Sequence, residues 1–302
     1  MDIGSNTVRI LIAEGRGATL KRVSVQRKIT RLSGGFDGRL SARSMNRTLD
    51  AVREFTQNAR ESGITDIRAA CTGVVRKASN KREFLDRLRL IDGVDSYLIS
   101  SELEARLAAM GARHHLGPDT GDVLLVDIGG FSTELTVVKE APGRSESFDI
   151  GVVSMTESVL KSDPPTEEQI AALRGIVAGA LGEFFRSKTP GVLVGIAGTP
   201  TTVAAVDLKL SKYDAARVHR YEIDGRRIEE LFRELISLDS ARRLKEFPGL
   251  EKGREDLLPA GIVIIQEIMK MGRYERLVVS EGGLLDGLLL TPDWPPNGAI
   301  FA

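Results

Sequence analysis

The sequence predicts an α/β protein made of two similar halves. The first observation behind this is a stretch that occurs twice. Asp2-Ile3-Gly4-Ser5-Asn6-Thr7-Val8-Arg9 lies near the start, and Asp127-Ile128-Gly129-Gly130-Phe131-Ser132-Thr133-Glu134 follows more than a hundred residues later. Both copies read Asp, Ile, Gly, two turn positions, Thr or Ser, one further residue and a charge. Both are flanked by strand-like runs, Ile10-Leu11-Ile12 after the first, with Leu124-Leu125-Val126 and Leu135-Thr136-Val137-Val138 around the second. The second observation is that strand-like runs enter glycine-bearing turns at four places, Gly4, Gly129, Gly198 and Gly282. Loops at the strand ends of an open α/β sheet are where such folds bind ligands. A spacing this wide excludes a solenoid, whose periods run from about 20 to 50 residues. Duplication of a domain is the remaining reading, and 302 residues suffice for two domains.

The elements follow in order. After the first hairpin, residues 14–17 read as a turn and 19–29 as a strand. Residues 27–38, a basic strand end running into Gly34-Gly35, read as a surface loop; the alternative is a flap delivering Arg27, Lys28 and Arg31. Ser41 is placed to cap a helix over 42–62, with Met45, Leu49, Val52, Phe55 and Ala59 on one face and Gly63 as its stop. A strand is expected over 67–72, a helix over 80–91, a strand over 94–99 and a helix from Glu102 to about His114, capped by Ser100 or Ser101. Residues 117–121, Gly-Pro-Asp-Thr-Gly, read as a linker, so the domains are taken as 1–118 and 119–302, with the last segment able to pack back on the first. Beyond the second hairpin the pattern predicts a turn at 141–143, a strand over 147–153, a helix from the Thr166 cap to about Arg186 and a buried strand over 192–197. Helices over 203–208, 228–236, 240–246 and 259–271, a strand over 277–280 and an irregular tail over 291–298 complete the chain.

Composition excludes several classes. Lys plus Arg and Asp plus Glu both number 42, so net charge is zero, which argues against a general nucleic-acid partner. Cys71 is the single cysteine, so no internal disulfide forms and a reducing compartment fits. No apolar run is long enough to span a bilayer, and no cationic leader opens the sequence. A cytoplasmic protein without a membrane partner is expected.

Chemistry centres on the twin hairpins. A glycine-rich tip exposes backbone N–H groups that converge on an anion, and small side chains let a phosphate approach. An Asp at the end of the first strand is placed to hold a divalent cation or its waters. His114, His115 and His219 are the only histidines, too few and too scattered for a histidine-built metal site. Carboxylates remain: Asp127 and Glu134 flank the second tip, while Glu102 and Glu104 open a helix, where acidic residues also complement the dipole.

With these residues in view, the chain resembles the exopolyphosphatase/guanosine pentaphosphate phosphohydrolase family of the actin/hexokinase/Hsp70-like superfamily. The twin stretches resemble its two phosphate motifs. Thr72-Gly73-Val74-Val75-Arg76-Lys77-Ala78-Ser79-Asn80 resembles its T-x-x-x-R-x-A-x-N segment. Ser100-Ser101-Glu102-Leu103-Glu104-Ala105-Arg106-Leu107 resembles S-G-x-E-E-A-R-L. Gly151 to Glu157, Gly198-Thr199, Arg254-Glu255-Asp256 with Gly261, and Ser280 to Gly287 fit further blocks. The resemblance implies two ribonuclease-H-like domains related by duplication, with a phosphate-chain cleft between them, and Mg²⁺ dependence. It implies Glu104 as catalytic base, and Gly4, Ser5, Asn6, Thr7, Gly129, Gly130, Ser132, Thr133, Gly198 and Thr199 as phosphate-binding positions. Arg76 and Arg9 would stabilise negative charge, and Asp127 and Glu134 would organise metal and water.

The implied activity is release of terminal phosphate from polyphosphate or guanosine pentaphosphate. The alternatives are a non-catalytic sensor of the same ligands and an ATP-dependent kinase of the superfamily. A homodimer is compatible with the pattern. Phe131 stands where the family has a third glycine, Leu103 where it has a first glutamate, Ser101 in place of a frequent glycine and Leu285 in place of a frequent arginine. A bulky residue at 131 would clash if the turn required positive φ.

Overall fold

The computed structural model describes the chain except for residues 16, 118, 119, 140, 141, 292–294, 296–298 and 302. Arg16 of the expected first turn, the centre of the expected linker, Ala141 and most of the expected irregular tail therefore lie outside the described residues. The chain forms two compact units, one of Met1–His114 with Gly283–Ala302 and one of His115–Gly282. Among the described residues no helix is long and apolar enough to cross a membrane.

The first unit runs β1 (Asp2–Ile3), β2 (Thr7–Glu14), β3 (Lys21–Ile29), α1 (Ala42–Glu61), β4 (Arg68–Cys71), α2 (Val74–Lys77), α3 (Lys81–Arg89), β5 (Asp95–Ile99) and α4 (Ser101–Leu116). The second runs β6 (Val123–Ile128), β7 (Thr133–Val138), β8 (Pro142–Phe148), α5 (Val152–Ser158), α6 (Glu167–Leu181), β9 (Val192–Ile196), α7 (Gly198–Asp207), α8 (Ala215–Val218), β10 (Glu222–Asp224), α9 (Gly225–Ile236), α10 (Ser240–Glu246), α11 (Leu258–Gly272) and β11 (Arg276–Val279). The chain then returns to the first unit as α12 (Leu284–Leu290) and β12 (Ala299–Phe301).

Among the described residues each unit holds a six-stranded sheet, in the orders β3-β2-β1-β4-β5-β12 and β8-β7-β6-β9-β11-β10. Position by position the two are the same. An antiparallel three-strand meander is followed by two parallel strands. A short antiparallel strand closes the far edge of each. This is the duplicated ribonuclease-H-like architecture that the family resemblance implies. The parallel strands are buried on both faces, so β6 and β9 read as apolar runs rather than alternations.

Helix placement follows local rules closely at α1. Ser41 Oγ accepts from Ser44 N at 3.1 Å, and Met45, Leu49, Val52, Phe55 and Ala59 are all buried. Elsewhere packing shifts the expected elements. The strand expected over 147–153 ends at Phe148, and α5 begins at Val152. The reason is Gly151, whose added Cβ would lie 2.4 Å from Phe131 N, and the amides of Val152, Val153 and Ser154, which donate to the carbonyls of Gly129 and Gly130. α7 starts at Gly198, five residues before the expected helix.

α12 joins the first unit through close backbone approach to α4. A Cβ at Gly111 would sit 2.0 Å from the Gly283 carbonyl, and one at Gly287 would sit 2.0 Å from that of Leu107. Arg22 on β3 reaches the fully buried Asp286, with Nε 2.7 Å from Oδ1, and Arg68 donates to the Thr291 carbonyl at 2.9 Å.

Candidate active site

In the first unit the β1–β2 turn is closed by Gly4 N donating to the Thr7 carbonyl at 3.1 Å. Residues 72–74 lie against this turn because β1 and β4 pair in parallel, with Thr72 N donating to the Ile3 carbonyl. Ser5 Oγ accepts from Val74 N at 2.9 Å, and Gly73, at φ +50°, leaves room for that hydroxyl, which a Cβ would meet at 2.3 Å. α2 then carries Arg76 to Glu104 on α4, with Nη1 to Oε2 at 2.5 Å; the same Nη1 donates to the Ile99 carbonyl. The turn thus touches the start of α2 through Ser5 and Val74, and the same short helix carries the arginine that pairs with Glu104. Glu104 is 12% exposed, enough to meet water. Glu102 differs. Its own backbone N–H and the Ser100 hydroxyl donate to it and hold its carboxyl below the usual range, with the charge of Arg76 contributing. The cap at this helix start is Ser100, whose Oγ accepts from Leu103 N at 3.2 Å, and Glu104 is the carboxylate hydrogen-bonded by arginine.

Residues 30–33 are no open loop. Thr30 and Arg31 donate their amides to the Asn6 carbonyl, and Ser33 donates to that of Ser5, so this segment is laid on the turn. Arg9 stands directly across from Asp2 in the β1–β2 register and donates Nε to Oδ2 at 3.0 Å.

The second unit repeats the turn. Gly129 N donates to the Ser132 carbonyl at 2.9 Å, and a Cβ at Gly4 or Gly129 would meet the closing carbonyl at the same 3.2 Å. Phe131 is buried and is not among the residues with positive φ, so its side chain strains nothing in the turn. The charges differ from the first copy. Asp127 and Glu134 are cross-strand partners, and Glu134, 4% exposed, accepts from Ser147 Oγ at 2.8 Å. Where the first unit sets Asp opposite Arg, the second sets two carboxylates opposite each other. Like charges in that relation repel, and a hard divalent cation removes the repulsion. Among the described residues no three or more His, Cys, Asp or Glu side chains gather as a metal cage. A site that offers one or two carboxylates and leaves the remaining positions to water and phosphate suits Mg²⁺, so the donor set fits it.

Gly198 and Thr199 open α7. Thr199 Oγ1 lies 3.4 Å from the Ile128 carbonyl, and Thr199 nests on Gly261 of α11. Ala197 before them takes φ +64°, a conformation costly without glycine. Arg254 lies over this turn: a Cβ on Gly198 would fall 2.3 Å from its Nη1. Sequence reading places Arg254 in a family block but assigns it no role, since nothing local to residue 254 reveals that its guanidinium covers a turn more than fifty residues away.

The model of the Ppx/GppA phosphatase family matches residues 11–292. Exopolyphosphatase 2 of Mycobacterium tuberculosis is 30% identical over 96% of this chain and 97% of its own. A guanosine-5'-triphosphate,3'-diphosphate pyrophosphatase of Aeromonas hydrophila is 25% identical over 96% of this chain and 58% of its own. The solved Ppx/GppA enzyme of Aquifex aeolicus superposes with TM-score 0.80 at 32% identity, covering 96% of this chain and 97% of that one. The chain belongs to the Ppx/GppA phosphatase family and is a hydrolase.

Proposed function

We propose that this protein removes the terminal phosphoryl group of inorganic polyphosphate or of guanosine pentaphosphate, with Glu104 as the base that activates water. The names of its relatives support the substrate class. The observation that supports the mechanism most is the Arg76–Glu104 pair beside the first turn. In this reading the attacking water gives its proton to Glu104 as its oxygen bonds the terminal phosphorus. The bridging P–O bond breaks, and its electron pair stays on the departing chain. Arg76 exchanges Glu104 for a phosphoryl oxygen, which leaves the carboxylate free for water. The turns at Gly4, Ser5, Asn6 and Thr7 and at Gly129, Gly130, Ser132 and Thr133 offer amides and hydroxyls to phosphate oxygens. Gly198, Thr199 and Arg254 take a further phosphoryl group, and Arg9 keeps Asp2 neutralised. Mg²⁺ held by Asp127 and Glu134 would neutralise phosphate charge. Phosphoryl transfer needs little beyond such positioning and electrostatics.

The test is phosphate release from defined polyphosphates and from guanosine pentaphosphate, with and without Mg²⁺, by wild type and Glu104→Gln. Loss of a general base lowers turnover by about 10²–10⁴-fold. Equal rates in the two proteins would remove Glu104 from this role.

A further inference from the structure

Arg243 on α10 is 1% exposed and heads the fully buried side chains of the described residues by volume. A guanidinium loses hydration on burial and needs acceptors in return. Its Nε donates to the Leu235 carbonyl at 2.8 Å and its Nη1 to the Glu255 carbonyl at 3.1 Å. Nη1 also lies 2.9 Å from Asp163 Oδ1, while Nη2 is buried without a hydrogen-bond partner. An apolar side chain of similar size would fill this space without that penalty. What the charge adds is connection.

Arg243 ties together the end of α9, the stretch before the Thr166 cap and residues 251–257. Asp163 completes the lock by accepting Ser240 N, at the start of α10, on Oδ2 at 2.8 Å. Burial pulls the Arg243 pKa down, and the charges of Asp163, Asp239 and Asp256 counter only part of that. Of the three segments, only 251–257 carries a side chain assigned to phosphate: Arg254, next to Glu255. Within the segment Arg254 N donates to the Glu251 carbonyl at 3.1 Å and Gly253 N to the Glu255 carboxylate, and the Arg254 carbonyl accepts from Leu258 N at the start of α11 at 2.9 Å. They shape the loop, and the bond from Arg243 to the Glu255 carbonyl ties it to α10 and Asp163.

We infer that Arg243, locked by Asp163, is a positioning residue that keeps the Arg254 guanidinium over the Gly198-Thr199 turn. This rests on the reading of Arg254 as a phosphate contact. A shift of about 1 Å in such a contact costs on the order of a hundredfold.

The experiment is a double-mutant cycle on the full chain with tripolyphosphate as substrate. It compares Arg243→Met, Asp163→Asn, Arg254→Ala and both doubles with Arg254→Ala. Arg243→Met should lose about tenfold to a hundredfold in kcat/KM, mainly through KM, and Asp163→Asn a few-fold; neither should add to the loss of Arg254→Ala. Asp163 is half-exposed, so its variant carries the cycle if Arg243→Met does not fold. Losses that multiply in the doubles, or wild-type kinetics in the folded singles, overturn the inference. Titration of tripolyphosphate into Glu104→Gln protein separates the two readings. No binding there sinks the phosphate assignment itself, whereas binding together with multiplying losses sinks only the role of Arg243.

Discussion

Glu102 and Glu104 sit two positions apart on one helix, yet Glu102 is held by its own N–H and the Ser100 hydroxyl while Glu104 pairs with Arg76. The difference is rotational: successive helical positions turn by about 100°, so it is Glu104 that hydrogen-bonds Arg76 while Glu102 feels only its charge. Asp163 shows the same dependence on surroundings. Burial pushes its carboxyl up, but hydrogen bonds from Ser240 and Arg243 and the Arg243 charge outweigh this and leave it below the usual range. A lowered folded-state pKa contributes stability above the unfolded value of about 4, and that contribution is lost as pH falls through the folded value. Thermal denaturation should therefore show wild type more stable than Asp163→Asn near neutral pH. The gap should close below about pH 4, and only modestly, because the carboxyl is partly solvated.

At the scale of elements, register and close approach decide what works. The β6–β7 register sets Asp127 against Glu134. On the proposed Mg²⁺ site, added Mg²⁺ should raise the melting temperature of the wild type by linkage, and Asp127→Asn should abolish that rise while the metal-free protein still folds. An unchanged Mg²⁺ response would move the metal elsewhere. The α4–α12 crossing depends on two glycines. Gly287→Ala places a methyl 2.0 Å from a backbone carbonyl that cannot swing aside. Such overpacking costs about 3 kcal/mol, to be read as a lower urea midpoint with unchanged slope.

For the whole molecule, the chain leaves the first unit and returns to it. α12 brings the buried Asp286 to Arg22, and β12 pairs with β5. A chain ending at Gly282 would leave Arg22 without that partner and uncover the backbone faces of α4 and the edge of β5. It should lose cooperative unfolding of the first unit, seen by circular dichroism and hydrogen exchange, while the second unit keeps its protected core.

How much of this was legible depended on the range of the interactions. The twin turns could be read from the residues because each is closed within four positions by one hydrogen bond and flanked by strands that pair locally. The α1 face and the Ser41 and Thr166 caps were legible for the same reason. α12 and β12 were not, since a short apolar run or three edge residues become structure only against partners supplied by distant chain. Nor was the Arg254 guanidinium over Gly198, or the burial of Arg243. The sequence by itself determined the duplicated architecture and the twin turns, which repeat in short-range patterns. Only the tertiary structure decided which charged groups face one another, because a side chain's partner is chosen by packing across the chain and not by its neighbours along it.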